Sequence, residues 1–220
     1  MSDLRKFFIE LLFPISCSSC GIDSAYQLCD PCYEKLLRSN CIKCQNSYDG
    51  FCARCASEIG ATGFLVLAPY SLIRPWIYSY KLDLNSKIDL INPKLLDLFF
   101  INLEKFINKP FSVELVPSEN KENWIRNILP DTIKNRTKDS VLSRVKGHVG
   151  QKYLNREERN SRRSSLFEVM PYVSIKSDAV LLIDDVMTTG TSLECCISLL
   201  LGLGYTEVYV VVFAYQSVLS

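Results

Sequence analysis

Eight of the ten cysteines fall between Cys17 and Cys55 as four C-x-x-C pairs: Cys17/Cys20, Cys29/Cys32, Cys41/Cys44 and Cys52/Cys55. So short a segment cannot bury enough apolar surface to hold itself together, and needs a staple. Two thiolates three positions apart in a tight turn supply half of a tetrahedral zinc shell, with Zn–S of about 2.3 Å. Eight such ligands fill two closed shells. A closed shell leaves no position for water, so the two expected zinc ions are structural rather than catalytic. Sequential pairing, the first four cysteines on one ion and the last four on the other, competes with a crossed arrangement that the spacing also permits. A disulfide framework would suit a small secreted domain, and a redox pair would follow a strand. Cys195 and Cys196 differ: they sit in an apolar helical run and read as small core hydrophobes.

The remaining composition sets limits. A hydrophobic share of 48% predicts a packed core, and a formal charge of +1 does not announce a nucleic-acid binder. No apolar run reaches the ~20 residues that a membrane span needs. The stretch LRKFFIELLFPI has Glu10 inside its apolar run and no small-residue cleavage site after it. A short amphipathic helix is expected there rather than a signal peptide, and a cytoplasmic location with it. The expected division is a Cys-rich unit over residues 1–58 and a larger one over 59–220, with ASEIGATG as the linker.

Beyond that linker the chain alternates. FLVLAPY, FSVELVP, AVLLID and TEVYVVVF have the apolar density of buried strands, and Ser192–Leu203 is periodic as a helix. Lys87–Asn108 carries apolar faces at helical spacing, with Pro93 placed to begin a helix. Lys121–Arg144 is polar and reads as helical in pieces. Strands alternating with helices predict a parallel sheet covered on both faces.

Within that pattern, VLLIDDVMTTGTS (Val180–Ser192) carries the chemistry. An apolar strand ending in carboxylates and turning through Thr and Gly into a helix gathers backbone N–H groups, hydroxyls and a helix dipole at one point. That combination suits a sugar phosphate. The plainer alternative is an ordinary strand, turn and helix in which Thr191 or Ser192 merely caps.

The same stretch resembles the phosphoribosyl-pyrophosphate signature of type I phosphoribosyltransferases. The cysteine-rich front end, LLFPISCSSC followed by LCDPC, narrows the resemblance to the ComF family of competence-associated phosphoribosyltransferase-like proteins. APYSLIRPWIYSYKL and LNREERNSRRSSLFEV are similar to further segments of that family. The resemblance implies a type I phosphoribosyltransferase-like α/β fold, a parallel sheet with helices on both faces, preceded by a small double zinc ribbon. It implies that Asp184 and Asp185 accept hydrogen bonds from the ribose hydroxyls and attract Mg2+ through water. Thr188, Thr189, Gly190, Thr191 and Ser192 would wrap the 5′-phosphate, and Lys81 would serve the pyrophosphate side. The implied role is DNA uptake and natural transformation, with phosphoribosyl pyrophosphate (PRPP) or a similar ligand, single-stranded DNA and other DNA-uptake proteins as partners. The alternative is an active transferase that moves ribose 5-phosphate from PRPP to an unidentified amine or base, with Asp184, Asp185 and Lys81 as its catalytic residues.

Two departures from the family pattern bear on transfer. A glycine expected shortly after Lys81 is replaced by the run KLDLN, and the Arg-Gly-Phe-Asn-Gln element expected after the Val-Pro strand is reduced to Arg126 and Asn127. Both weaken the expectation of turnover while leaving the phosphate turn intact. The run from Arg144 to Arg163 holds seven Lys/Arg against two Glu. Arg156, Arg159, Arg162 and Arg163 are its candidate phosphate contacts, and Tyr153 could stack on an unpaired base. Lys35, Arg38, Lys43 and Arg54 give the ribbon a modest basic face. His148, the single histidine, reads as solvent-facing.

Overall fold

Four apolar runs become the four strands of one parallel sheet. In the computed structural model, residues 16–17, 19–26, 28–37, 41–46, 51–81, 93–118, 123–137, 140–145, 166–171, 174–175 and 177–217 are described. The expected N-terminal helix and the KLDLN run after Lys81 lie outside them. Along the chain the elements are α1 (Asp30–Leu37), α2 (Ala53–Glu58), β1 (Gly63–Pro69), α3 (Tyr70–Lys81), α4 (Pro93–Ile107), β2 (Phe111–Leu115), α5 (Ile125–Ile128) and α6 (Asp131–Lys134). A 3-10 turn (Asn135–Thr137), β3 (Leu142–Arg144), β4 (Phe167–Val169), β5 (Ala179–Met187), α7 (Thr191–Leu203) and β6 (Glu207–Tyr215) complete them.

The sheet order is β1-β6-β5-β2, and every neighbouring pair is parallel. The chain crosses from β1 at one edge to β2 at the other through α3 and α4, then steps back through β5, α7 and β6. Right-handed crossovers that run in opposite directions place their helices on opposite faces. Strand alternation shows this in the core. Leu65, Leu181, Ile183 and Val211 pack with Ile73 and Ile77 of α3 and Phe100 and Leu103 of α4. Their sequence neighbours Val66, Leu182, Val210 and Val212 pack with Leu193, Ile197 and Leu200 of α7. Each such side chain contributes about 1.5–3 kcal/mol by leaving water. Burial on both faces is why these strands read as unbroken apolar runs.

The cysteine-rich segment is wrapped around the β1 edge. Cys17, Leu28 and Tyr33 join the core on the α3/α4 face, while Cys41, Cys52, Cys55 and Ile59 join the core on the α7 face. Between them the Cys52 N–H donates to the Phe64 carbonyl at 2.8 Å, on the side of β1 away from β6. Phe51 packs on Tyr209 with ring centroids 5.1 Å apart. Gly63 lies under that pair: a Cβ there would meet Phe51 Cγ at 2.8 Å and Tyr209 Cδ1 at 2.9 Å.

The stretch expected to be a linker is packed instead. Ala56–Glu58 completes α2, and Ile59 is only 5% exposed. The Thr62 N–H donates to the Val208 carbonyl at 2.7 Å, and its hydroxyl accepts from the Val208 N–H at 3.0 Å. Its small residues allow close approach to the sheet rather than freedom from it. At the other edge, β2 carries the buried Glu114, whose carboxylate accepts from the Ser140 hydroxyl and from the Val141 and Leu142 N–H groups at 3.0 and 3.4 Å. Those three donors fasten the segment leading into β3, which pairs antiparallel with β4.

Candidate functional site

The eight cysteines form two groups, Cys17/Cys20/Cys29/Cys32 and Cys41/Cys44/Cys52/Cys55, with the sulfurs of each within 4.8 Å of one another. Pairing is therefore sequential. Each group is built the same way. A turn supplies the first pair: the Cys17 carbonyl accepts from the Gly21 N–H at 2.8 Å, and the Cys41 carbonyl from the Gln45 N–H at 2.7 Å. Gly21 and Gln45, each four residues after the first cysteine, have φ of +74° and +60°. A helix start supplies the second pair, with Cys29 just ahead of α1 and Cys52 as the N-cap of α2. There backbone N–H groups meet the sulfurs: the Cys55 N–H donates to Cys52 Sγ at 3.5 Å, and the Cys29 N–H to Cys17 Sγ at 3.4 Å.

The spacing of the sulfurs suits a metal. Cys20 and Cys29 are 3.7 Å apart, Cys41 and Cys55 3.8 Å, and Cys44 and Cys52 3.6 Å. A tetrahedron with Zn–S of about 2.3 Å has edges of about 3.8 Å, whereas a disulfide needs about 2.05 Å. At Cys17 burial pushes the thiol up, but backbone N–H groups of Cys29, Cys20 and Ser19 outweigh it and bring it down to about 6. Four thiolates without an open position make each group a structural site that can hold zinc. The groups differ in setting: Cys20 is exposed, while Cys55 is fully buried against the sheet.

The second assembly lies where the parallel strands end, which is where α/β sheets place ligands. Asp184 and Asp185 sit near the C-terminal end of β5. Alternation sends them to opposite faces. Asp184 lies toward Cys196 on α7, close enough to bear on its thiol electrostatically. Asp185 lies toward Trp124, whose indole N–H donates to Oδ2 at 3.4 Å. Each carboxylate also accepts from the next backbone N–H, Asp184 from Asp185 at 2.9 Å and Asp185 from Val186 at 2.7 Å.

The turn follows directly. Thr188 and Thr189 are exposed, and the Thr189 and Thr191 hydroxyls lie 3.1 Å apart. Gly190 is the N-cap of α7 in the left-handed region, φ +86°, with no side-chain cap. Only glycine adopts that conformation at little cost. A Cβ there would also meet Met187 Cε at 2.7 Å and Ile59 Cγ2 at 3.6 Å, so the segment after the second cysteine group backs the turn. The hydroxyls of Thr191 and Ser192 are not the N-cap, and the first N–H groups of a 13-residue helix open beside them. Chemically, the arrangement offers N–H and O–H donors to an anion and carboxylate acceptors to neighbouring hydroxyls.

Lys81 closes α3, and its side chain lies outside the described residues, as do Arg38, Arg156, Arg159, Arg162 and Arg163. Arg126 is committed elsewhere, its guanidinium donating to the Thr137 carbonyl at 2.5 Å. Sequence reasoning missed Trp124 and Glu114. An indole two residues before Arg126 was a visible signal, while a glutamate in an apolar strand gave no hint of its three donors. No described helix is long and apolar enough to cross a membrane. No protein-family model matches the chain, and no curated protein is similar enough to count as a relative.

Proposed function

We propose that this chain is a ComF-like, zinc-stapled protein that binds a phosphorylated pentose such as PRPP at the β5–α7 turn, in the service of DNA uptake. The carrying observation is the turn, with Thr188 and Thr189 exposed, between two carboxylates and an α7 start whose N-cap, Gly190, has no side chain. A 5′-phosphate would take the turn's N–H and O–H donors, and the ribose hydroxyls would donate to the carboxylates. Mg2+ would accompany the pyrophosphate, with the aspartates as hard oxygen donors reached through water. The resemblance to a type I phosphoribosyltransferase fold rests on the sequence motifs, with a four-stranded parallel sheet behind them. The competence role rests on the resemblance, and the single-stranded DNA contact on the Arg-rich run of the sequence.

Calorimetry with PRPP and Mg2+ tests the binding reading. Saturable heat that is lost in the Asp184→Ala, Asp185→Ala double variant is the expected result. Unchanged affinity in that variant refutes the pocket. Release of pyrophosphate on adding amines or bases would move the reading to active transfer.

A further inference from the structure

Asp185 meets a side chain from another element. Its Oδ1 accepts from the Val186 N–H at 2.7 Å, and its Oδ2 faces the Trp124 indole N–H at 3.4 Å. Trp124 is itself fixed. Its ring leans at 45° on Phe213 of β6, with centroids 6.4 Å apart. Asn123 ties the same turn down at both ends, donating to the Val116 carbonyl at 3.1 Å and accepting from the Ile125 N–H at 3.1 Å. Val116 follows the end of β2 and donates its own N–H to the Ile183 carbonyl at 2.9 Å. The indole thus sits on a turn anchored to β2 and leans on β6, while the carboxylate it meets belongs to β5, the strand between them.

We infer that Trp124 is a positioning residue: its indole N–H fixes the rotamer of Asp185 so that the carboxylate is turned to meet the sugar hydroxyls of the ligand. This rests on the phosphorylated-pentose reading above. A carboxylate has about four lone-pair directions and can accept several hydrogen bonds at once, so the indole N–H and ribose hydroxyls can share it. Holding the rotamer in advance removes an ordering cost that ligand binding would otherwise meet. Asp184, on the opposite face, has no part in this contact. Loss of the indole N–H should therefore weaken recognition of the sugar and leave recognition of the phosphate alone.

The test uses the full chain with both zinc ions, and two probes, ribose 5-phosphate and inorganic phosphate. Trp124→Phe keeps an aromatic ring on Phe213 and removes the donor. The expected result is a loss of about 3–10-fold in affinity for ribose 5-phosphate, with inorganic phosphate unaffected. A second measurement needs no ligand. In a Trp76→Phe background Trp124 is the remaining tryptophan of the two, and Asp185→Asn should shift its fluorescence emission. Equal weakening toward both probes marks a merely structural role and overturns the inference, as does an emission spectrum indifferent to Asp185→Asn. Binding of ribose 5-phosphate by the parent and by Trp124→Phe with equal affinity overturns this inference alone. Failure of the parent to bind ribose 5-phosphate removes the pocket reading and this inference together.

Discussion

Replacing Gly63 with Ala adds one methyl group where the cysteine-rich segment meets the sheet. Taken alone, the lost freedom of the unfolded chain would stabilise the protein by about 0.4–1 kcal/mol. Against it, the new Cβ would lie 2.8 Å from Phe51 Cγ, 2.9 Å from Phe51 Cβ and 2.9 Å from Tyr209 Cδ1. Carbon atoms prefer about 3.5–4.0 Å, so both rings must yield by about 0.6 Å or more. Neither moves freely. Phe51 Cβ rides on the backbone next to Cys52, whose N–H is bound to Phe64 and whose sulfur belongs to the second metal group. Tyr209 lies in β6, and its hydroxyl donates to Glu207 at 2.7 Å. Overpacking of this kind costs about 1–3 kcal/mol, which leaves a net loss of about 0–2.6 kcal/mol, toward the upper part of that range because neither ring moves freely. Gly202 supplies the control. It lies on α7 with nothing within 4 Å of an added Cβ, so Gly202→Ala should stabilise by about 0.5–1 kcal/mol. Urea unfolding with zinc held constant reads both, with the slope unchanged and the midpoints moving in opposite directions. A Gly63→Ala midpoint that rises together with Gly202→Ala would refute the claimed contact.

The two metal groups should respond differently to loss of a ligand. Cys20→Ser, at an exposed ligand, should release one zinc and loosen the first group locally, while Cys55→Ser should release one zinc and also lower the global unfolding midpoint, because Cys55 is buried against the sheet; zinc release with a chromophoric chelator and thermal melts check this, and equal effects on melting count against it. Burial pushes the Glu114 carboxyl up, more than Ser140, Val141 and Leu142 bring it down. The folded state then holds that proton more tightly than the unfolded chain, so its contribution is full below the ordinary carboxylate value and is lost as pH rises through the folded one. The unfolding midpoint of the parent relative to Glu114→Gln should therefore improve as pH is lowered across that window, and a constant difference would contradict the assignment.

Much of the fold could be read in advance because both faces of the sheet are buried. FLVLAPY, AVLLID and TEVYVVVF had no polar alternation to disguise them, and Pro93 does begin α4. The eight ligands were equally visible in the C-x-x-C spacing, but their division into two sequential groups was not, because a crossed arrangement fits the same spacing. What could not be read was tertiary. ASEIGATG looked free because it is small and Gly-containing, yet those residues let Ile59 and Thr62 press against the sheet. β3 and β4 are three residues each, and their pairing joins segments far apart in sequence with no turn signal beside them. At the candidate site the acids and hydroxyls were legible as residue types. That the two acids leave β5 on opposite faces follows from strand alternation, but which partner each one meets depends on Trp124 and α7, and no local pattern encodes that.

The hydrogen bond from Cys52 to Phe64 has a consequence for the protein when metal is scarce. Among the described strands β1 is the outermost on its side, and an uncovered strand of this kind is a template for another molecule's backbone. A zinc ion in the second cysteine group would hold the blocking segment in place, so stripping it should convert a guarded border into an adhesive one. Metal-depleted protein is then expected to self-associate before it unfolds, and resupplying zinc early should disperse the oligomers.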